Sequence, residues 1–276
     1  MKWEIIHRTQ FAYAGPVRDS FNEARLQPFS DEWQKVDHFL LKVLPAARLR
    51  HHHDFYSNTI HHFEIVEPHT TLAVESNLRV TIKPRPTLAV DATPWPLQRI
   101  GEAAQEPRVF DFLQDSRFVE TTPESWRLAL DTTAGITDTW QAARALMDFI
   151  HGQFKYESYS TNVHTHMRDV LRERRGVCQD FAHVMIGLCR ALKIPALYVS
   201  GYLATESASA THAWVEVLIP GIGWRALDPT HNRQPDETYV KIAVGRDYAD
   251  VPPLTGNYKG TTDRQMQVNV SIRAIS

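Results

Sequence analysis

A cysteine opening a helix, a histidine on a strand and an aspartate closing the next strand are the residue types that thiol-based acyl chemistry needs. The run Gly176-Val177-Cys178-Gln179-Asp180-Phe181-Ala182 places Cys178 where an apolar helical pattern begins. Free N–H groups and the positive end of the helix dipole stabilise a thiolate there and lower the thiol's pKa from about 8.5. A small buried hydrophobe is the competing reading, and it is the commoner fate of a lone cysteine. Cys189, between Leu188 and Arg190 in the same pattern, reads as packing. Eleven residues of helix separate the two thiols by about 16 Å, so they cannot bridge.

A thiolate nucleophile needs a proton acceptor, and the acceptor needs an orienter. Of 14 histidines, His212 stands out by context. In His212-Ala213-Trp214-Val215-Glu216-Val217-Leu218-Ile219 the even positions share one strand face and the odd positions the other. A hairpin loop over residues 218–222 would set Val217 against Gly223 and His212 against Asp228. Opposed Cβ atoms lie about 5 Å apart, within reach of a carboxylate–imidazole bond. Before Pro229, Asp228 could instead close the strand in an Asx turn. His183, five residues after Cys178, is rotated about 140° off the cysteine's helix face. Asp180, in the first turn, reads as a partner of the helix dipole.

Four segments together resemble the bacterial transglutaminase-like superfamily: Gly176 to His183, Ser200-Gly201-Tyr202, Thr211 to Val217, and Leu227-Asp228-Pro229-Thr230. The core likeness spans roughly residues 150–230. The front of the chain resembles the β-rich N-terminal domain of such proteins, and Arg246 to Pro253 their C-terminal stretch. The resemblance implies a papain-like core with Cys178 as nucleophile, His212 as base and acid, and Asp228 as orienter. It does not fix the reaction, since such cores include acyl transferases, peptidases, amidases and inactive scaffolds. No calcium loop of the animal transglutaminases is evident. Where papain-like enzymes place an oxyanion-hole glutamine, this chain has Arg172, which leaves the Cys178 N–H as the expected donor.

The elements around these residues set the expected fold class, α+β. Alternating runs at residues 3–7, 39–44, 59–65 and 77–82, broken by turn-formers, predict an N-terminal antiparallel β-sandwich-like domain over 1–86. Prolines between Pro84 and Pro96 mark a boundary, and residues 87–135 read as a linker and helical connection. The span 136–276 reads as the transglutaminase-like core, its nucleophile at the N-terminus of a central helix packed on an antiparallel sheet. Apolar periodicity predicts helices over 140–154, 167–174 and 179–193. Strands are expected at 196–203, 213–219, 224–227 and 239–244, with a last alternating run at 266–272. Phe11, Tyr13 and Phe21 fall in a stretch without clean alternation. The β domain is expected to pack on the catalytic half and narrow access to Cys178.

Composition narrows the function classes. The 276 residues are 43% apolar and 22% charged, with 30 basic against 32 acidic side chains. That balance gives no nucleic-acid footprint and no polybasic membrane patch. The charged start Met1–Arg8 is not read as a signal peptide, and free thiols suit a cytoplasmic location. His61 and His62 point to opposite strand faces and cannot chelate together, and His51-His52-His53 before Asp54 reads as a solvated loop. No metal and no cofactor are expected. Trp214 and Tyr202 are candidates to line a substrate cleft. The expected activity is hydrolysis of a peptide or isopeptide amide through a Cys178–His212–Asp228 triad and a thioester. The alternatives are acyl transfer from glutamine to an amine and a non-catalytic protein-binding module.

Overall fold

A computed structural model describes residues 1–89, 91–105, 107–205, 208–261 and 263–275, with the side chains of 103–105, 108, 205 and 208–210 left aside. Five strands come first: β1 (Lys2–Gln27), β2 (Gln34–Leu44), β3 (Arg50–His53), β4 (Thr59–Ile65) and β5 (His69–Ile82). A short helix α1 (Pro107–Phe110) precedes α2 (Pro123–Thr132) and α3 (Thr139–Gln153). Next come β6 (Lys155–Tyr156), α4 (Met167–Glu173), β7 (Arg175–Gly176) and α5 (Cys178–Ala191). Strands β8 (Ala196–Thr205), β9 (Ala208–Ile219), β10 (Gly223–Leu227), β11 (Tyr239–Gly245), β12 (Leu254–Lys259) and β13 (Arg264–Ile275) complete the chain.

β1 is one 26-residue strand shared by two sheets. Its first half, Lys2 to Tyr13, pairs with β13 and largely with β5, while Ser20 to Gln27 pairs with β4 and Ala24 to Phe21 with β12. Register shifts after Ala12 and Arg18 turn it from one sheet into the other, and Asp19 takes φ +49° in the bend. Phe11 and Tyr13 are buried on one face of β1 before the bend, whereas Phe21 beyond it is exposed. Phe11, Leu26, Leu41, Phe63, Leu72 and Val74 form the core between the sheets.

The C-terminal strands correct the expected division. β12 and β13 pair with β1, so the sheet placed in residues 1–86 is finished by residues 254–275, which had been assigned to the catalytic half. Alternation at 266–272 marked a strand, but local pattern carries no information about a partner some 260 residues away.

In the second half, every α5 residue from Gln179 to Ala191 is buried. The helix lies on a four-stranded antiparallel sheet of order β10-β9-β8-β11. Helices α2, α3 and α4 pack around it. A single core crosses the halves: Trp3, Ile5, Leu78, Val80 and Ile82 join Trp140, Met185, Leu188 and Val215. Burial of each such side chain stabilises by about 1.5–3 kcal/mol.

β11 is a sheet edge, and two side-chain amides from the first half close it. Gln34 donates to the Lys241 carbonyl at 2.8 Å and accepts its N–H at 2.9 Å. Asn58 does the same with Val244, both at 2.8 Å. An open edge is a template for pairing with other chains. Among the described residues no helix is long and apolar enough to cross a membrane.

Candidate active site

The start of α5 is built around Asp180. Its Oδ2 accepts the Val177 N–H at 2.8 Å and the Thr161 hydroxyl at 2.6 Å, satisfying a donor the helix end leaves open. Burial pushes this carboxyl up, against the lowering effect of the Thr161 and Val177 bonds. A Cβ on Gly176 would stand 2.7 Å from both Cβ and Oδ2 of Asp180, so glycine is required for the aspartate to fold back. Cys178, the first residue of the helix, is half-buried. Cys189 is fully buried, and burial pushes its thiol up to about 12.

His212, nearly buried on β9, lies 2.8 Å through Nε2 from Asp228 Oδ2. The Cys178 thiol, which opens the helix packed on this strand, acts electrostatically on the ring. Burial opposes a charged ring, but the bond to Asp228 and the influence of Cys178 outweigh it and raise His212 to about 9. Trp214 stacks on the imidazole with ring centres 6.2 Å apart, and Tyr239 meets it edge-on at 5.9 Å.

Asp228 is fully buried. Its Oδ1 accepts the Thr230 N–H at 2.8 Å, which is the Asx turn. Its Oδ2 takes His212 Nε2, His231 Nδ1 at 2.8 Å and the Tyr239 hydroxyl at 2.6 Å. The two roles weighed for Asp228 as alternatives are therefore both filled, one per oxygen. Burial alone would raise this carboxyl, but bonds from His212 and His231 hold it far below the usual carboxylate range.

The hairpin register differs from expectation by two residues. Ile219 pairs with Gly223 and Val215 with Leu227, so the loop has three residues and Asp228 falls beside Trp214 rather than His212. A slip of two preserves strand parity, so the carboxylate still lies on the histidine's face. The strand ends at Leu227, and Asp228 bridges to Arg233.

Two expected cleft residues are not at a surface. Trp214 has no exposed area and lies between Phe112, Val199 and Tyr239. Tyr202 is buried against the N-terminal half, its hydroxyl 2.8 Å from His7 Nδ1. Both faces of this sheet are covered, which a strand pattern alone does not reveal. His183 is buried against Phe118 and accepts the Tyr248 N–H at 3.1 Å.

His231 and Tyr239 were missed. His231 sits three residues beyond Asp228 in a turn, where proximity was a usable signal. Tyr239 comes from a separate strand, and nothing local points to it. His212, Asp228 and His231 also bring three ligand-type atoms within 4.8 Å, here engaged with one another.

Residues 127–229, which include Cys178, His212 and Asp228, match the model of the transglutaminase-like superfamily. Residues 3–81 match that of the bacterial transglutaminase-like N-terminal region. An uncharacterized protein of Mycobacterium tuberculosis is 33% identical over 98% of this chain and 92% of its own length. A protein-glutamine gamma-glutamyltransferase of Pseudomonas aeruginosa is 34% identical over 32% of this chain and 15% of its own. The crystal structure of a candidate cysteine protease from Cytophaga hutchinsonii superposes with TM-score 0.83 at 26% identity, covering 100% of this chain and 92% of that one.

Proposed function

The chain belongs to the transglutaminase-like superfamily, and on that premise we propose that it is a cysteine hydrolase of peptide or isopeptide amides. The observation that carries this reading is the 2.8 Å contact of His212 with a fully buried Asp228, on the sheet against which the helix opened by Cys178 packs. With its pKa near 9, His212 holds a proton across neutral pH, as an imidazolium beside a thiolate requires. The Cys178 sulfur adds to the amide carbonyl, and the Cys178 N–H at the start of α5 donates to the oxygen that becomes negative. His212 gives its proton to the leaving nitrogen, the C–N bond breaks, and a thioester remains. His212 then takes a proton from water, whose oxygen adds to the carbonyl. The C–S bond breaks, the carboxylic acid leaves, and the thiolate beside a protonated His212 is restored.

Acyl transfer is the second reading, favoured by the partial likeness to the Pseudomonas aeruginosa glutamyltransferase. The same thioester would then be opened by an amine. Incubation with a glutamine-containing peptide, with and without a labelled primary amine, separates the two. Hydrolysis predicts ammonia or peptide cleavage without label, whereas transfer predicts incorporated label. Silence of the wild-type chain across a broad peptide library would sink both.

A further inference from the structure

A cleft of about 400 Å³ opens between the two halves of the molecule. Phe11, Tyr13, Tyr258 and Met266 line it from the first half, and Phe118 and Tyr248 from the second. Among the described residues its lining contains no aspartate or glutamate but includes Arg117 and Arg264. In a chain whose acidic side chains outnumber its basic ones, 32 to 30, this is a local excess of positive charge.

The two guanidinium groups rest on aromatic faces. Arg117 lies 5.4 Å from the centre of the Phe118 ring, and Arg264 lies 5.3 Å from Phe11 and 5.8 Å from Tyr258. Neither is ion-paired among the described residues. Aromatic stacking orients the planar fork and leaves its edge N–H groups for a carboxylate.

Two contacts tie the cleft to the helix that Cys178 opens. Val163 on its rim accepts the Gln179 side-chain N–H at 3.3 Å, and Gln179 is the residue after Cys178. Phe118 stacks on His183, five residues along the same helix, at 5.6 Å.

We propose that this cleft binds the acyl-donor polypeptide through a segment carrying carboxylates beside an aromatic or aliphatic side chain, with Arg117 and Arg264 selecting the acidic charge. The proposal rests on the hydrolase reading above. Apolar walls supply contact area, and two unpaired arginines supply the charge complement that fixes the sign of the partner.

The test uses the full chain as Cys178→Ala, so that the probe is not consumed. Fluorescence anisotropy compares a labelled peptide of Glu, Asp and Phe with a counterpart carrying Lys at the acidic positions. The acidic peptide should bind at least about tenfold tighter, and raised salt should erase much of the difference. Arg117→Glu with Arg264→Glu should cost about tenfold or more in affinity, and the corresponding Gln pair less. Urea midpoints report whether each variant keeps its fold. Equal affinity for both peptides, no saturable binding of the acidic one, or indifference to charge reversal in a folded variant would overturn the proposal. Charge-dependent binding without turnover of any peptide by the wild-type chain leaves the cleft standing and removes the hydrolase reading. Turnover without charge discrimination does the reverse.

Discussion

The Tyr239 hydroxyl donates to Asp228 Oδ2 at 2.6 Å, on the carboxylate oxygen that also lies 2.8 Å from His212 Nε2. His231 Nδ1 reaches the same oxygen at 2.8 Å. Three donors converging on one buried oxygen leave the carboxylate no rotational freedom, so His212 is held by a fixed acceptor. Tyr239→Phe deletes one donor and keeps the ring. It should lower kcat about tenfold with KM unchanged, equivalent to about 1.4 kcal/mol. His231→Asn keeps a donor nitrogen at the position of Nδ1, whereas His231→Ala does not. Steady-state kinetics should show the asparagine variant near wild type and the alanine variant near Tyr239→Phe. Equal losses in both would mean that bulk, rather than donation, is what His231 supplies.

Removing the nucleophile should be absolute and removing the orienter should not. Cys178→Ala is expected to show no turnover, because no other thiol is near; Cys189 lies buried in the same helix. Asp228→Ala leaves His212 beside the sulfur and should retain measurable rate, reduced about 10²- to 10⁴-fold. It should also destabilise the fold, since His212 and Tyr239 lose a buried acceptor at about 1–3 kcal/mol per group. Single-turnover kinetics and urea unfolding on the same samples read both effects.

The raised pKa of His212 has a signed consequence for stability. In the unfolded chain the imidazole titrates near 6.5, and in the folded chain near 9. Its contribution is fully present below about pH 6.5 and is lost as pH rises through about 9. Its size is on the order of a few kcal/mol. Asp228 works in the opposite sense: its stabilisation is present above the ordinary carboxylate range and fades as pH falls. Unfolding free energies measured from pH 6 to 10 should therefore fall in the wild type. The same curve for His212→Gln should lack that slope, and parallel curves would refute the assignment.

The contact between His212 and Asp228 was legible through parity more than through register. The predicted pairing of His212 with Asp228 was two residues out, yet the side chains share a face because strand side chains repeat every two residues. Helix α5 was legible because its apolar residues and Gly176 are all local signals. Tyr239 was not, since it reaches Asp228 from a strand eleven residues away. The length of β1 was hidden by its bend, and the pairing of β13 by distance along the chain. Whether a strand is covered on both faces also lies outside its own pattern, and that decided Trp214 and Tyr202.

The two halves should not survive separation. Deleting residues 1–86 removes β1, the partner of both β12 and β13, and strips Trp3, Ile5, Leu78, Val80 and Ile82 from a shared core. It also uncovers the β11 edge by taking away Gln34 and Asn58. Five large apolar side chains at about 1.5–3 kcal/mol each rival the whole stability of a typical domain, about 5–15 kcal/mol. The fragment 87–276 is expected to aggregate or to unfold without a cooperative urea transition. Gln34→Ala with Asn58→Ala tests the edge alone, leaving two buried backbone N–H groups and two carbonyls on β11 without partners. That pair should lower the urea midpoint of the full chain and cost about 2–5 kcal/mol. A soluble fragment with a sharp transition would show that the halves fold independently, and a double variant as stable as wild type would show that the two amides contribute nothing at the edge.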